Sequence, residues 1–114
     1  MRDDRLYLIH IRECIERIQE YTVTGKAEFL ADTKTQDAVL RNLQTLGESA
    51  KNLSDGLRAA NPEIEWRRII GFRNVLVHDY LGVSLERVWQ VIERFLPELR
   101  RKIEAILKEL EQRL

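Results

Sequence analysis

The chain has 114 residues, enough for one domain, residues 1–114, with one buried core. Nineteen basic and nineteen acidic side chains cancel. That balance excludes a strongly basic nucleic-acid coat and an acidic disordered tail, so any nucleic acid must be gripped at a local patch. Only five Gly and two Pro punctuate a sequence that is 33% charged, which predicts helices with solvated faces, and 44% apolar content argues against disorder. The single cysteine, Cys14, excludes an intramolecular disulfide and a Cys-rich zinc site. No apolar run approaches the roughly 18 residues of a membrane span. Met1 to Arg5 mixes acids with bases and lacks the apolar stretch of a signal peptide, so a cytoplasmic location is expected.

The first helix is predicted from about Asp4 to Tyr21, where Leu8, Ile11, Ile15 and Ile18 form one stripe with Cys14 beside it. Thr22 to Asp32 breaks the pattern at Gly25 and leaves room for a short helical turn at Ala27 to Leu30. A second helix starts at Asp32 or Thr33, with Thr33 and Gln36 spaced as a capping box. Its apolar face is Val39, Leu43, Leu46, Ala50, Leu53 and Leu57. Gly47, inside it, suggests close approach of a neighbouring helix, since Gly there costs about 1 kcal/mol relative to Ala. Asn61-Pro62-Glu63 is expected to open a third helix carrying Trp66, Ile69, Ile70 and Leu76 or Val77, which Asp79-Tyr80-Leu81-Gly82 ends, Gly82 being a candidate break. Ser84 is placed to cap a fourth, with Val88, Ile92, Phe95, Leu99, Ile103, Ile106 and Leu110 on one face. Pro97 must kink that helix or divide it near Phe95. The expected fold is all-α, an antiparallel up-and-down bundle of four to five helices.

Chemistry concentrates in Phe72-Arg73-Asn74-Val75-Leu76-Val77-His78-Asp79-Tyr80. There is no HExxH, CxxC, EF-hand or glycine-rich phosphate loop, so no metal site and no cofactor is expected. His10 reads as an ordinary residue of the first helix. Asn74 and His78 are four apart and share a helical face; Arg73 and Tyr80, seven apart, align if the helix persists. Arg73 and His78 are five apart, about 140° around the axis. They meet on one ligand only if the helix is distorted or a second copy supplies the complement. In a purely structural reading Arg73 sits in an ion pair, His78 faces the helix C-terminal dipole and Tyr80 packs on a neighbour. In a functional one, His78 moves a proton and Arg73 neutralises charge on a phosphorane as a ribose 2′-hydroxyl attacks the adjacent phosphate. Arginine outnumbers lysine fourteen to five, which favours bidentate phosphate contacts.

Arg73, His78 and Tyr80 are spaced as R-x4-H-x-Y, and this resembles the motif of HepT-type toxins in the HEPN superfamily. Phe29, Asp32, Ala38-Val39, Arg41, Gly47-Glu48-Ser49-Ala50-Lys51, Trp66, Gly71-Phe72-Arg73-Asn74 and Val88-Trp89 resemble the same pattern, with Ser49 standing where Ala is common. The resemblance implies a HEPN-like homodimer whose two motif copies face a shared cleft. It implies a metal-independent endoribonuclease, the toxin of a type VII-like two-gene module. It further implies an MntA-like nucleotidyltransferase antitoxin that adenylylates Tyr80. Carried over by position, Arg73 and His78 are the catalytic pair and Tyr80 the modified residue. Asn74 orients His78 or the phosphate, and Asp79 supports the site. Glu48 belongs to the pattern as a structural, interface or catalytic acid. The rival readings are a non-catalytic dimeric helical module that partners a nucleotidyltransferase or binds nucleotides, and a plain structural dimer. The intact Arg73 and His78 favour the enzyme; the neutral net charge favours the rivals.

Overall fold

The computed structural model describes residues 3–113; Met1 and Arg2, which open the N-terminal stretch considered above, and Leu114 lie outside the described residues. Its elements in order are α1 (Asp4–Tyr21), α2 (Lys26–Ala31), α3 (Thr33–Asn52), α4 (Asp55–Ala60), α5 (Trp66–His78), a 3₁₀ turn (Tyr80–Gly82), α6 (Leu85–Gln90), a π-helical turn (Val91–Phe95) and α7 (Leu96–Gln112). No strand occurs among the described residues, and the all-α expectation holds.

Side-chain ties across the bundle give the helix directions. Asp4, at the start of α1, accepts from the amide of Ser54 at 2.8 Å and from its hydroxyl at 2.6 Å, just beyond the end of α3. At the other flank of α1, Arg100 of α7 donates to Gln19 at 2.6 Å, while Arg5 pairs with Glu111 at 3.6 Å. Both pairs of helices are therefore antiparallel. On the far side α5 lies along α3, and α1 and α3 form the centre. The core is one cluster built on the predicted stripes: Leu8, Ile11, Ile15 and Ile18 of α1, Val39, Leu43, Leu46 and Ala50 of α3, and Leu99, Ile103 and Ile106 of α7. Cys14 is buried among them, and that burial raises its thiol pKa.

Four local expectations are corrected by contacts distant in sequence or by competing caps. Asp32, rather than Thr33, caps α3: its carboxylate accepts from the Lys34 amide at 3.1 Å and the Thr35 hydroxyl at 2.7 Å. Gln36 instead reaches back to the Phe29 and Leu30 carbonyls at 3.0 and 3.1 Å, closing the end of α2. The second predicted helix does not run through Leu57, because Ser54, held by Asp4, turns extended and caps α4 through the Leu57 amide. Asn61-Pro62 does not open α5. Asn61 ends α4, its side chain donating to the Leu57 carbonyl at 2.9 Å, and its own carbonyl takes the Trp66 indole N–H at 3.1 Å. In the last helix Leu96 replaces Phe95 on the buried face. The π turn ahead of Pro97 adds a residue to the helical circuit, the Leu96 amide bonding back to the Val91 carbonyl, and shifts the register. Pro97 then falls in the first turn of α7, where its missing N–H is harmless.

Candidate functional site

The motif occupies the last turns of α5 and the 3₁₀ turn after it, and α3 positions it at two points. The first is Gly47. A Cβ there would collide with the Arg73 Cβ, lie 3.0 Å from its Cγ and 3.3 Å from the Ile69 carbonyl. The missing side chain lets α5 lie directly on α3 at Arg73, which is the close approach Gly47 suggested. Arg73 is consequently half-buried. Its Nη2 sits 2.7 Å from Oε2 of Glu48 in an ion pair, and its Nη1 donates to Oδ1 of Asn74 at 2.9 Å. Its Nε is buried without a hydrogen-bond partner among the described residues.

The second point is Asp37. It accepts a hydrogen bond from the Tyr80 hydroxyl at 2.8 Å. Partial burial, this bond and the Asp37 charge together raise the Tyr80 phenol above its ordinary pKa. Asp37 and Glu48 are eleven residues apart on α3, which returns to within about 20° of the same face some 16 Å along the axis. One face of α3 thus carries the two carboxylates that hold Arg73 and Tyr80. Neither pairing was legible in the sequence. The signal that could have found them is the Asp37 and Glu48 spacing beside Gly47.

The α5 helix is regular through His78 and ends there. The Asp79 amide still bonds to the Val75 carbonyl at 2.8 Å, but Asp79 itself leaves helical geometry. The expected end within Asp79-Tyr80-Leu81-Gly82 is met, with the break at Asp79 and not at Gly82, where a Cβ would meet the Asp79 carboxylate. Tyr80, in the 3₁₀ turn past the end of α5, meets the same face of α3 as Arg73, at Asp37. His78 is exposed, and Asn74 is turned to Arg73 and not to His78. Because α5 is undistorted between them, Arg73 and His78 stay about 140° apart around its axis. Of the predicted site residues, one chain brings together Arg73 with Asn74; His78, Asp79 and Tyr80 face other surroundings.

Around the motif, Leu76 alone of the Val75-Leu76-Val77 triplet is buried; Val75, Val77 and Leu81 are exposed, Leu81 by 98%. Beside them runs a groove of about 560 Å³ between α3, α5 and the bent α6–α7 helix, lined by Leu43, Leu46, Phe72, Val83 and Phe95 among others. Among the described residues no three His, Cys, Asp or Glu side chains are grouped to hold a metal ion, and no helix is long and apolar enough to cross a membrane.

A family model described as ribonuclease HepT-like matches residues 11–106, the span that carries both the motif and its α3 support. The chain belongs to the ribonuclease HepT-like family. This HepT-like chain is 39% identical over 108 residues to the Probable ribonuclease HepT of Thermococcus cleftensis, covering 94% of the chain and 98% of that relative. It is 27% identical over 123 residues to the mRNA nuclease HepT of Shewanella oneidensis, covering 87% and 92%. No solved structure matches it significantly. The expectation of a ribonuclease is met by this membership, and the HepT-like fold is the helical bundle described above.

Proposed function

We propose that this HepT-like protein is an endoribonuclease toxin that cleaves RNA without a metal cofactor. In this reading residues 1–114 act as one cytoplasmic domain, a homodimer whose active site combines Arg73 and His78 from two copies. The observation that carries it is the contrast within the motif. Arg73 is clamped by Glu48, Asn74 and the Gly47 contact, whereas His78 is exposed on the same regular helix about 140° away. A held cation and an exposed proton carrier suit phosphoryl transfer, provided a second motif completes the pair. The exposed Val75, Val77 and Leu81 and the adjoining apolar groove support a second copy on this face.

The reaction follows from the side chains. A neutral His78 imidazole takes the proton of the ribose 2′-hydroxyl as its oxygen attacks the adjacent phosphorus. Arg73 stabilises the negative charge on the phosphorane. The 5′-oxygen leaves with a proton returned by an imidazolium, yielding a 2′,3′-cyclic phosphate and a 5′-hydroxyl. Asn74, accepting from Arg73 Nη1, holds the orientation of the guanidinium plane. Asp79 supports the turn that ends α5. DNA lacks the attacking hydroxyl and is spared.

Regulation is read at Tyr80. An MntA-like nucleotidyltransferase antitoxin transfers adenylyl groups to its hydroxyl, placing phosphate charge and nucleoside bulk beside the motif. The test is cleavage of RNA in excess EDTA. Cleavage is expected to persist there. His78→Ala should lower the rate about 10²–10⁴-fold, and Arg73→Ala about 10²–10³-fold. Incubation with the antitoxin and ATP should add adenylyl mass to the wild type and none to Tyr80→Phe. A strict requirement for added Mg²⁺, or full activity in His78→Ala, overturns the assignment.

A further inference from the structure

Gly71 lies in the interior of α5, where glycine destabilises a helix relative to alanine. Gly47 has a reason within the fold, since its missing Cβ makes room for Arg73. Gly71 has none: a Cβ there would meet nothing within 4 Å beyond its own turn of helix. A helix also bares its backbone where a ligand comes close.

The residues around Gly71 say which ligand. Arg67, Gly71, Asn74 and His78 recur at spacings of four, three and four, within about 60° around the axis of the regular α5 helix. Arg67 and His78, at the two ends, differ by about 20° and stand about 16 Å apart along it. Arg67, Asn74 and His78 are all exposed. Arg67 makes no hydrogen bond or ion pair among the described residues; Glu65, the acid nearest to it in sequence, is taken by Arg68 at 3.1 Å. Asn74 spends its Oδ1 on Arg73, and its Nδ2 hydrogens meet no acceptor among the described residues. The stripe thus offers a cation, an amide and an imidazole around bare backbone, with no acid among them, which complements a polyanion. A second copy would bury apolar side chains. The exposed apolar residues of α5, Val75 and Val77, fall outside the stripe, one on each side.

We propose that the stripe Arg67–Gly71–Asn74–His78 is the path of the RNA strand away from the cleaved bond: Arg67 binds a phosphate a few nucleotides from the scissile one, and Gly71 lets the sugar–phosphate backbone lie against the helix. This rests on the reading that His78 meets the scissile phosphate.

The test uses the full chain and two single-stranded oligonucleotides of one mixed sequence. The RNA form reports kcat and KM; the 2′-O-methyl form, which lacks the attacking hydroxyl, reports binding by fluorescence anisotropy across a salt series. Arg67→Ala should weaken binding several-fold, raise KM by the same factor and leave kcat unchanged. Its slope of log affinity against log salt should be shallower by about 0.7, one phosphate contact on a single strand. Arg67→Lys should restore most of that slope. Gly71→Ala should melt at a higher temperature than wild type and yet bind several-fold more weakly, with the same mass by light scattering. A purely structural glycine would instead melt lower when replaced, and that result overturns the proposal. So does a Gly71→Ala chain whose assembly is smaller than wild type, which would put a second copy on the stripe, or an Arg67→Ala chain with wild-type affinity and slope. Wild-type cleavage by His78→Ala removes the parent reading instead, whatever Arg67 and Gly71 do.

Discussion

Tyr80 shows how one side chain depends on a residue 43 positions away. Its hydroxyl donates to Asp37, and desolvation, that bond and the carboxylate charge all disfavour the phenolate. The folded-state pKa is therefore raised above the unfolded value of about 10. A group shifted in this direction contributes stability that is fully present below the unfolded pKa and is lost as pH rises through the folded one. Since 38% of Tyr80 remains exposed, solvent screening keeps the effect small. Ultraviolet titration should show one tyrosinate forming at higher pH than in Asp37→Ala, where it should return toward the ordinary value. If the Asp37→Ala titration superimposes on wild type, the hydrogen bond does not set the Tyr80 environment.

At the scale of elements, the α3–α5 contact at Gly47 is the one that holds Arg73 of the proposed site. Gly47→Ala pits two effects against each other. Alanine gains about 1 kcal/mol of helix propensity. Against this, its Cβ would meet the Arg73 Cβ, which is fixed to the α5 backbone and cannot rotate away. Overpacking of this kind costs about 1–3 kcal/mol, so the contact should win and the variant should be less stable. Because the strain falls on Arg73 itself, cleavage should drop further than the folded fraction does. Denaturant melts alongside cleavage rates check this. A more stable Gly47→Ala with wild-type activity would mean that α5 sits farther from α3. The bent last helix follows a different logic: the π turn at Val91–Phe95 absorbs Pro97 and turns Phe95 from the core stripe to the groove.

At the scale of the whole molecule, the proposed pairing of Arg73 with His78 is tested by asking whether it forms within one chain or across two. Mixed dimers separate the cases. If the proposed site spans two copies, an Arg73→Ala chain and a His78→Ala chain, each expected to be inactive alone, would leave one intact composite site when paired. Unfolded together in equal amounts and refolded, they should recover about a quarter of the wild-type rate, half of the dimers being mixed and each holding one site of two. A site formed within one chain would recover nothing. The exposed Val75, Val77 and Leu81 beside the motif would offer such pairing an apolar surface.

The sequence by itself determined the helices and their buried faces, because 3–4 periodicity is a local property: Leu8 to Ile18, Val39 to Ala50 and Leu99 to Ile106 all reached the core. It also marked Gly47 as a contact, and R-x4-H-x-Y with the surrounding pattern was enough for the family. Helix ends were less legible. Ser54 breaks α3 because Asp4 holds it from 50 residues away, and Asn61 ends a helix because its carbonyl is claimed by the Trp66 indole. Only the tertiary structure decided what each motif residue touches. Arg73 belongs to Glu48 and Tyr80 to Asp37, since antiparallel packing carries one face of α3 past both ends of the motif. Spacing along α5 cannot encode a partner on another helix.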